Sequence, residues 1–436
     1  MKKIKIMLSF LILMLCFSFL APIGVVFAEE TEKPKEKIYV SLGDSISKGY
    51  AINLKELLDS GETTTNNLIT GEENDYSFIE NCYAYKLNGY LKQYHAYNKG
   101  YNFAHSGDTC QDLINFISSF YDNVNDVCKN PNDMNSKFNT LTNLEVYNIL
   151  SNAQTISVCI GANNILSEAT DIIMNYLGLQ NTTPRTYREV ESILEDKVEQ
   201  EFVPQFQKLL LLINSLNSKA EVYFTTIYNP YAVLQANEDL MNYLSSDDGY
   251  MLQQTLKASF GYDLQYFTQD RLLDLAFLSK IAIEGVQSTS DSSTGKRFIG
   301  LNGVIKDEID RSRANDDANF YVVDSYSKFD EKKGPNNEYH NYVNESLDSL
   351  TEQKLTNIML NSNLENSIVM YMDPHPTNLG HNLIFETFKS SQIGTRYYQE
   401  SNVNKTLVVI LGLTGFVLIS VLSSVIAIKI TKKKVC

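Results

Sequence analysis

Apolar and polar positions divide this chain into three parts. One apolar run extends from Ile6 to about Phe27, and a second, at residues 406–428, contains no charged residue. The long stretch between them mixes short apolar runs with polar segments. Uncharged runs of this length near the ends of a chain are typical of targeting or membrane segments, so the folded body is expected between them.

Five short apolar or β-branched runs in the body predict β-strands, at residues 38–42, 101–104, 155–160, 221–227 and 319–323. The segments between them often show helical spacing, as in residues 190–216, where apolar residues recur every three or four positions. Strands that alternate with helices predict an α/β fold with a mostly parallel five-stranded sheet, a flavodoxin-like three-layer α/β/α sandwich. Segments 53–75, 232–271 and 286–296 exceed what that core needs and are interpreted as insertions able to shape access to a site.

The apolar run near the start has the pattern of a signal peptide. Lys2, Lys3 and Lys5 precede it, and residues 26–28 provide small or β-branched positions suited to cleavage before Glu29. We expect a signal peptide over residues 1–28 and a linker over 29–37, with a retained N-terminal anchor as the alternative.

The second apolar run predicts a transmembrane helix. At about 1.5 Å per residue its 23 residues span a hydrocarbon core of roughly 30 Å. Lys429 and the lysines at 432–434 follow at once, and positive charge favours the cytoplasmic side. The expected organisation is a folded domain with insertions at 38–395, a juxtamembrane linker at 396–405, the helix at 406–428 and a cytoplasmic tail at 429–436. The protein would be single-pass in the cell membrane with its body outside; a buried core helix is the alternative.

Charge and cysteine content narrow the possible partners. The two ends hold seven of the 37 Lys and Arg residues and none of the 52 Asp and Glu residues, which leaves 30 against 52 and a net charge of −22 on the body. Such a charge repels nucleic acid, so no nucleic-acid partner is expected. Export permits disulfides, and Cys110 with Cys128 or Cys82 is the favoured pair, with Cys159 a buried thiol on a strand.

Polar residues follow the predicted strands at the edge where parallel sheets bind ligands. Ser45 follows the first strand, Gly107 follows the second and Asn163 follows the third. A serine at this position can be a nucleophile or an ordinary helix cap, a glycine N–H can approach a ligand closely, and an asparagine amide can donate to an anion. Taken alone, each of these three turns could have a purely structural role.

A fourth segment supplies a base. His375 lies between two prolines just before the last amphipathic helix, and histidine is the usual group that deprotonates a serine at neutral pH. Asp373 lies two residues before it and can orient the imidazole ring. The other four histidines lie in polar contexts, beside the second turn or inside the last helix.

Together the four segments resemble the SGNH hydrolase superfamily, also called GDSL esterases and lipases, over about residues 38–390. They match in order: Gly43-Asp44-Ser45 near the start of the body, a glycine turn, a Gly-x-Asn turn and an Asp/His-Pro segment near the end; residues 228–231 also look like a segment of these enzymes. The resemblance implies that Ser45 is the nucleophile and His375 the base, that Asp373 is the acid, and that Ser45, Gly107 and Asn163 form the oxyanion hole.

Two departures from the family pattern stand out. The acid usually precedes the histidine by three residues, where this chain has Met372, so either Asp373 or a backbone carbonyl could orient the ring. An aspartate usually follows the asparagine of the third segment, where this chain has Asn164. Neither change removes the nucleophile, the base or an oxyanion donor.

These features predict an extracytoplasmic carboxylic ester hydrolase without a metal or other cofactor. It would act through an acyl-serine intermediate on O-acyl groups of carbohydrates or lipids, with small acyl groups slightly favoured. The α/β-hydrolase alternative lacks a Gly-x-Ser-x-Gly elbow, and the few candidate metal ligands do not cluster in the sequence. A surface-binding protein on an inactive SGNH scaffold is the second hypothesis, motivated by the displaced acid.

Overall fold

Five parallel strands form the centre of the protein. In the computed structural model, the described residues are 36–394 apart from 53, 55–75, 122–123, 130–140, 167–168, 181, 286–297, 317, 335–337, 352 and 355–370. The strands are β1 (Ile38–Gly43), β2 (Lys99–Asn102), β3 (Thr155–Cys159), β4 (Glu221–Thr225) and β5 (Phe320–Val323). Their order in the sheet is β2-β1-β3-β4-β5, and each neighbouring pair is parallel.

This order confirms the predicted flavodoxin-like arrangement and fixes where a site can lie. Residues that follow β2 and β3 flank those that follow β1, because β1 lies between these two strands. The register pairs Tyr39 with Thr155 and Gly43 with Cys159, so the carboxyl ends of β1 and β3 are level. All residues of β1, β3 and β4 are buried, which explains their near-continuous apolar sequences.

Fourteen α-helices are described around the sheet. They are α1 (Ser45–Lys48), α2 (Tyr83–His95), α3 (Cys110–Ser119), α4 (Asn143–Ser151), α5 (Ala162–Leu166), α6 (Ala169–Tyr176), α7 (Tyr187–Asp196), α8 (Val203–Leu216), α9 (Glu238–Leu244), α10 (Asp247–Phe260), α11 (Gln269–Glu284), α12 (Gly300–Asp316), α13 (Ser325–Asp330) and α14 (Asn378–Ser390). A π-helical segment, Lys197–Phe202, joins α7 to α8, and short 3₁₀ turns occur at Leu264–Tyr266, Glu331–Lys333, Glu338–Asn341 and Leu347–Ser349.

Two groups of helices cover the sheet. In one group, α14 packs against α2 and α13; in the other, α8 packs against α3 and α12. Aromatic contacts join helices to strands, as where Phe206 of α8 meets Phe224 of β4 with ring centroids 5.5 Å apart. A single hydrophobic cluster runs through these layers.

Most predicted elements agree with the structure, with one shifted strand. The second strand was expected at 101–104 but occupies Lys99–Asn102, because Phe103 and Ala104 have already turned into the loop that carries Gly107. Residues 232–271, interpreted as an insertion, contain α9 and α10, and the last predicted helix is α14.

The predicted signal peptide (1–28) and the predicted transmembrane helix (406–428) lie outside the described residues, as do nearly all of 53–75 and all of 286–296. Among the residues that the structure describes, no helix combines the length and apolarity needed to cross a bilayer.

The disulfide prediction was wrong for the described cysteines. Cys82, Cys110, Cys128 and Cys159 are free thiols, and all four are buried. Cys82 and Cys110 begin helices that belong to different layers of the fold, and Cys82 Sγ instead accepts a hydrogen bond from the Tyr85 N–H as a helix cap. Cys159 lies on β3, as predicted.

Candidate active site

The turn after β1 presents Ser45 at the edge of the sheet. Gly43 ends the strand with φ +126°, and a Cβ there would lie 1.9 Å from the Cys159 carbonyl oxygen, so only glycine fits. Asp44 caps α1, because its Oδ1 accepts a hydrogen bond from the Ile46 N–H at 3.0 Å. Ser45 is therefore the first helical residue rather than the cap, and its hydroxyl is available for another partner.

That partner is His375. Its Nε2 lies 2.8 Å from Ser45 Oγ, although 330 residues separate the two in sequence. Its Nδ1 lies 3.1 Å from each carboxylate oxygen of Asp373. Because an ionised carboxylate only accepts hydrogen bonds, the Asp373 contact favours a proton on Nδ1 and leaves Nε2 as the acceptor for the serine hydroxyl. This geometry allows proton transfer from Ser45 to His375.

Asp373 lies two residues before His375 instead of the usual three, but it still reaches the imidazole ring because the loop between the two residues turns tightly. Asp373 Oδ1 also accepts the backbone N–H of His375 at 2.9 Å, so one carboxylate holds both the main chain and the ring of the same residue. An acid two positions before the histidine thus contacts Nδ1, and a backbone carbonyl is not required for that role.

Three side chains from elsewhere in the chain hold this loop. Tyr228 donates its hydroxyl to the Pro374 carbonyl at 2.6 Å, and Tyr231 donates to the Met372 carbonyl at 3.1 Å. The amide of Asn344 donates to Asp373 Oδ1 at 3.3 Å and to the Ala51 carbonyl at 2.7 Å. The loop is therefore tied both to the segment after β4 and to the chain just beyond α1.

The other two turns lie beside Ser45, linked by hydrogen bonds. The His105 N–H donates to the Gly43 carbonyl at 3.0 Å, and the Asp44 N–H donates to the Cys159 carbonyl at 3.0 Å. Asn163 donates its amide to the Asp108 carbonyl at 3.1 Å, which joins the second turn to the third. Gly107 has φ +86°, a backbone conformation that favours glycine.

This arrangement brings together the three predicted oxyanion donors: the N–H groups of Ser45 and Gly107 and the amide of Asn163. An amide NH₂ has two hydrogens, so Asn163 can bond the Asp108 carbonyl and still offer one to a ligand. Donors fixed in this way need no rearrangement when negative charge develops nearby.

Two carboxyl groups, those of Asp373 and Asp44, set the electrostatics of the site. Burial lowers the pKa of His375, but the charge and hydrogen bond of Asp373, with a smaller effect of Asp44, raise it overall. Burial raises the pKa of Asp44 to about 7 despite the bond from Ile46. A second carboxyl group therefore lies close to the base and titrates near neutrality.

The structure explains why this chain has Asn164 where the family usually has an aspartate. Its Oδ1 accepts the Cys110 N–H at 2.9 Å while its Nδ2 donates to Gln205 at 2.7 Å. An aspartate could accept the first bond but could not donate the second. The asparagine thus joins the start of α3 to α8 behind the site without contacting the reacting groups.

Three of the remaining histidines lie on other elements of the fold, and two site residues were not predicted. His381 is fully buried in α14 and accepts the Tyr83 N–H, whereas His95 and His340 are half-buried. The two unpredicted site residues are Asn344 and Tyr50, and the ring centroid of Tyr50 lies 4.9 Å from that of His375. Neither residue has a local sequence signal. Tyr228 and Tyr231, which also hold the His375 loop, do lie in a segment that looks like one of the family.

A family model and several solved structures are similar to this chain. The model of the family described as GDSL-like lipase/acylhydrolase matches residues 39–266, slightly more than half of the chain. No curated protein matches significantly.

Solved structures similar to this chain include an extracellular lipase from Streptomyces rimosus, at 13% identity over 81% of this chain and 99% of that chain, with a TM-score of 0.39. A phospholipase A1 from Streptomyces albidoflavus NA297 matches at 12% identity over 81% and 99%, with a TM-score of 0.41. A family two carbohydrate esterase from Clostridium thermocellum matches at 10% identity over 84% and 65%, with a TM-score of 0.34.

The match to the family model extends from β1 beyond α10 and includes the turns of Ser45, Gly107 and Asn163, while the His375 loop lies beyond its end. The chain therefore belongs to the GDSL-like lipase/acylhydrolase family.

Proposed function

We propose that this protein is a serine ester hydrolase that acts outside the cytoplasm and is anchored in the cell membrane. The observation that carries the catalytic part is the chain of contacts from Ser45 Oγ through His375 to Asp373, at 2.8 and 3.1 Å. The substrate would be a carboxylic ester, with its acyl group linked to a lipid or a carbohydrate.

The geometry supports a reaction in two steps, acylation of Ser45 and then hydrolysis of the acyl-serine. His375 Nε2 takes the proton of Ser45 as Oγ attacks the ester carbonyl, and the three donors stabilise the oxyanion. Loss of one such donor typically costs about 2.7–4 kcal/mol of transition-state stabilisation. The alkoxide leaves with the proton from His375, and the acyl group stays on Ser45. Water, deprotonated by His375, then attacks the acyl-serine; the carboxylic acid leaves and Oγ regains its proton.

The displaced acid motivated the hypothesis of an inactive surface-binding protein. Because Asp373 lies at hydrogen-bonding distance from His375, no observation favours that alternative.

The test is hydrolysis of a short-chain nitrophenyl ester by the full chain and by Ser45→Ala. The matched control is Ser47→Ala, on the same short helix, whose hydroxyl bonds the Leu42 carbonyl and Tyr83 instead of His375. We expect activity to disappear in the first variant and persist in a folded second variant. Equal activity in Ser45→Ala and the parent would exclude Ser45 as the nucleophile.

The proposed location rests on the sequence. Residues 406–428 carry no charge and precede a lysine cluster, while the start of the chain has the pattern of a signal peptide. The body, with Ser45, would then lie on the outer side of the membrane.

A further inference from the structure

Helix α14 carries the chain away from the catalytic loop. It begins three residues after His375, and its 13 residues span about 20 Å. Beyond it, Gly394 packs against the end of α2, because a Cβ on this glycine would lie 2.6 Å from Leu91 Cδ2 and 3.5 Å from His95 Cγ. The last described residue therefore lies beside the last turn of α2.

The end of α2 marks the edge of the sheet at which the strands begin. After three intervening residues α2 is followed by β2, whose first residue, Lys99, pairs with Ile38 at the start of β1. Ser45 follows the other end of β1. Since all five strands are parallel, Ser45 and Gly394 lie at opposite edges of the sheet.

Aromatic rings cluster on the surface beside Gly394. The Tyr90 ring has its centroid 5.2 Å from that of Tyr94 and 6.1 Å from that of Phe385 on α14. Tyr94 is 64% exposed, and Lys389 Nζ lies 5.9 Å from the Phe385 centroid. We call this surface, formed by Tyr90, Tyr94, Phe385 and Lys389, the anchor face.

His95 connects the anchor face to the end of the described chain. Its ring centroid lies 5.1 Å from that of Tyr90, and its Cγ approaches Gly394. The predicted membrane helix begins at residue 406, so the 11 residues 395–405 separate it from Gly394. Fully extended, they reach at most about 40 Å, at about 3.6 Å per residue. The anchor face is therefore held close to the membrane that the predicted helix would span.

The composition of the anchor face suits a bilayer surface. Tyrosine rings are enriched at the level of lipid headgroups, where an apolar ring and a polar hydroxyl are both accommodated, and lysine places its charge in the water above. A tether of limited length also keeps the local concentration of this surface at the membrane high, which strengthens weak contacts.

We propose that the anchor face lies against the outer surface of the membrane that holds the chain, so that the Ser45 edge of the sheet points away from that bilayer. The inference rests on the membrane anchor of the proposed function and extends it to the source of the substrate. Because α14 places the catalytic loop about 20 Å from the anchor face, a lipid would have to leave the bilayer to reach Ser45. The enzyme therefore takes esters presented beyond its own membrane rather than the lipids within it.

The test uses tryptophan fluorescence, because the chain contains no tryptophan of its own. Tyr94→Trp places a single probe on the anchor face. Leu379→Trp is the matched control, since Leu379 is 55% exposed and lies on the first turn of α14, beside the catalytic loop. Each full chain is reconstituted into phosphatidylcholine vesicles, with and without a phosphatidylcholine brominated near its headgroup.

We expect the brominated lipid to quench most of the Tyr94→Trp emission, which should also shift to shorter wavelength. The Leu379→Trp emission should stay unquenched and at the wavelength of a water-exposed ring. Equal quenching of the two probes, quenching of Leu379→Trp alone, or quenching of neither would overturn the proposal. If Tyr94→Trp does not fold, Phe385→Trp probes the same face by the same criteria.

Two further measurements on the same vesicles separate this inference from the proposed function. A chain that resists extraction by alkaline carbonate but lacks the expected quenching refutes the orientation alone. A chain that carbonate removes from the vesicles refutes the proposed anchor and, with it, the orientation. Hydrolysis of a nitrophenyl ester by the vesicles reports the catalytic proposal, whichever way the body is oriented.

Discussion

At the scale of single residues, the position of Asp373 decides whether the site can work as a triad. The carboxylate reaches Nδ1 of His375 from two positions away because it also accepts the His375 backbone N–H. The contact specifies the tautomer in which Nε2 can receive the proton of Ser45. Its loss should therefore affect both the rate and the pH at which the base becomes active.

We expect Asp373→Asn to lower kcat by about 10²–10⁴-fold, because an amide facing Nδ1 favours the wrong tautomer. Asp373 raises the pKa of His375, so removal of its charge lowers that pKa. Since the base must be neutral, the acidic limb of the pH profile of kcat/KM should move to lower pH. A normal rate with an unmoved limb would show that another group orients the ring.

Residues that carry chemistry were predictable where they lie in recognisable segments. Ser45, Gly107, Asn163 and His375 follow this rule, because each occupies a short motif next to a strand end or a helix start. Asn344 does not, since its role depends on a fold that brings it beside Asp373 from 29 residues away. Its surrounding sequence gives no indication of this contact.

At the scale of elements, the segment after β4 supports the His375 loop. Tyr228 stacks on Phe329 at 4.3 Å and donates to Pro374, so a packed aromatic side chain fixes a catalytic loop. Displacement of a reacting group by about 1 Å can cost on the order of 10²-fold in rate. Support of this kind should therefore be measurable in kcat.

Tyr228→Phe should lower kcat by about tenfold with little change in KM, because the loop loses one of its restraints. Tyr97→Phe is the matched control: its hydroxyl bonds Thr155 at 2.6 Å, at the opposite end of β3 from the site. Thermal unfolding and steady-state kinetics of both variants provide the test. If kcat falls equally in the two variants, the effect of Tyr228 is general destabilisation rather than support of the loop.

The strands illustrate what an apolar pattern can predict. Four of the five predicted strands share one bound with the observed strand and differ by at most two residues at the other, because buried parallel strands have continuous apolar sequences. The edge strand β2 reads Lys-Gly-Tyr-Asn, and the prediction moved to the more apolar residues beyond it. The π-helical turn at Lys197–Phe202 interrupts a regular helical pattern that contains no signal for it.

At the scale of the whole molecule, the fold class followed from the alternation of strands and helices, but the apolar crevice between α5, α7 and α11 did not. Its walls come from residues between 162 and 301, and their proximity depends on how several helices pack around the ends of β3 and β4.

The proposed location gives a prediction at this scale. The full chain should sediment with membranes, and protease added to intact cells should digest its body. Deletion of residues 406–428 should release an active protein into the medium, because the signal peptide would still direct export. Retention of the deleted form on membranes would show that another segment anchors the chain.

The central claim, that Ser45 is activated by His375, is tested most directly by covalent labelling with a fluorophosphonate followed by peptide mass spectrometry. We predict one adduct per chain, on Ser45, with labelling slowed by several orders of magnitude in His375→Ala and unchanged in Ser47→Ala. A protein that hydrolyses esters but carries its adduct on a different residue, or that labels Ser45 equally fast without His375, would contradict the account.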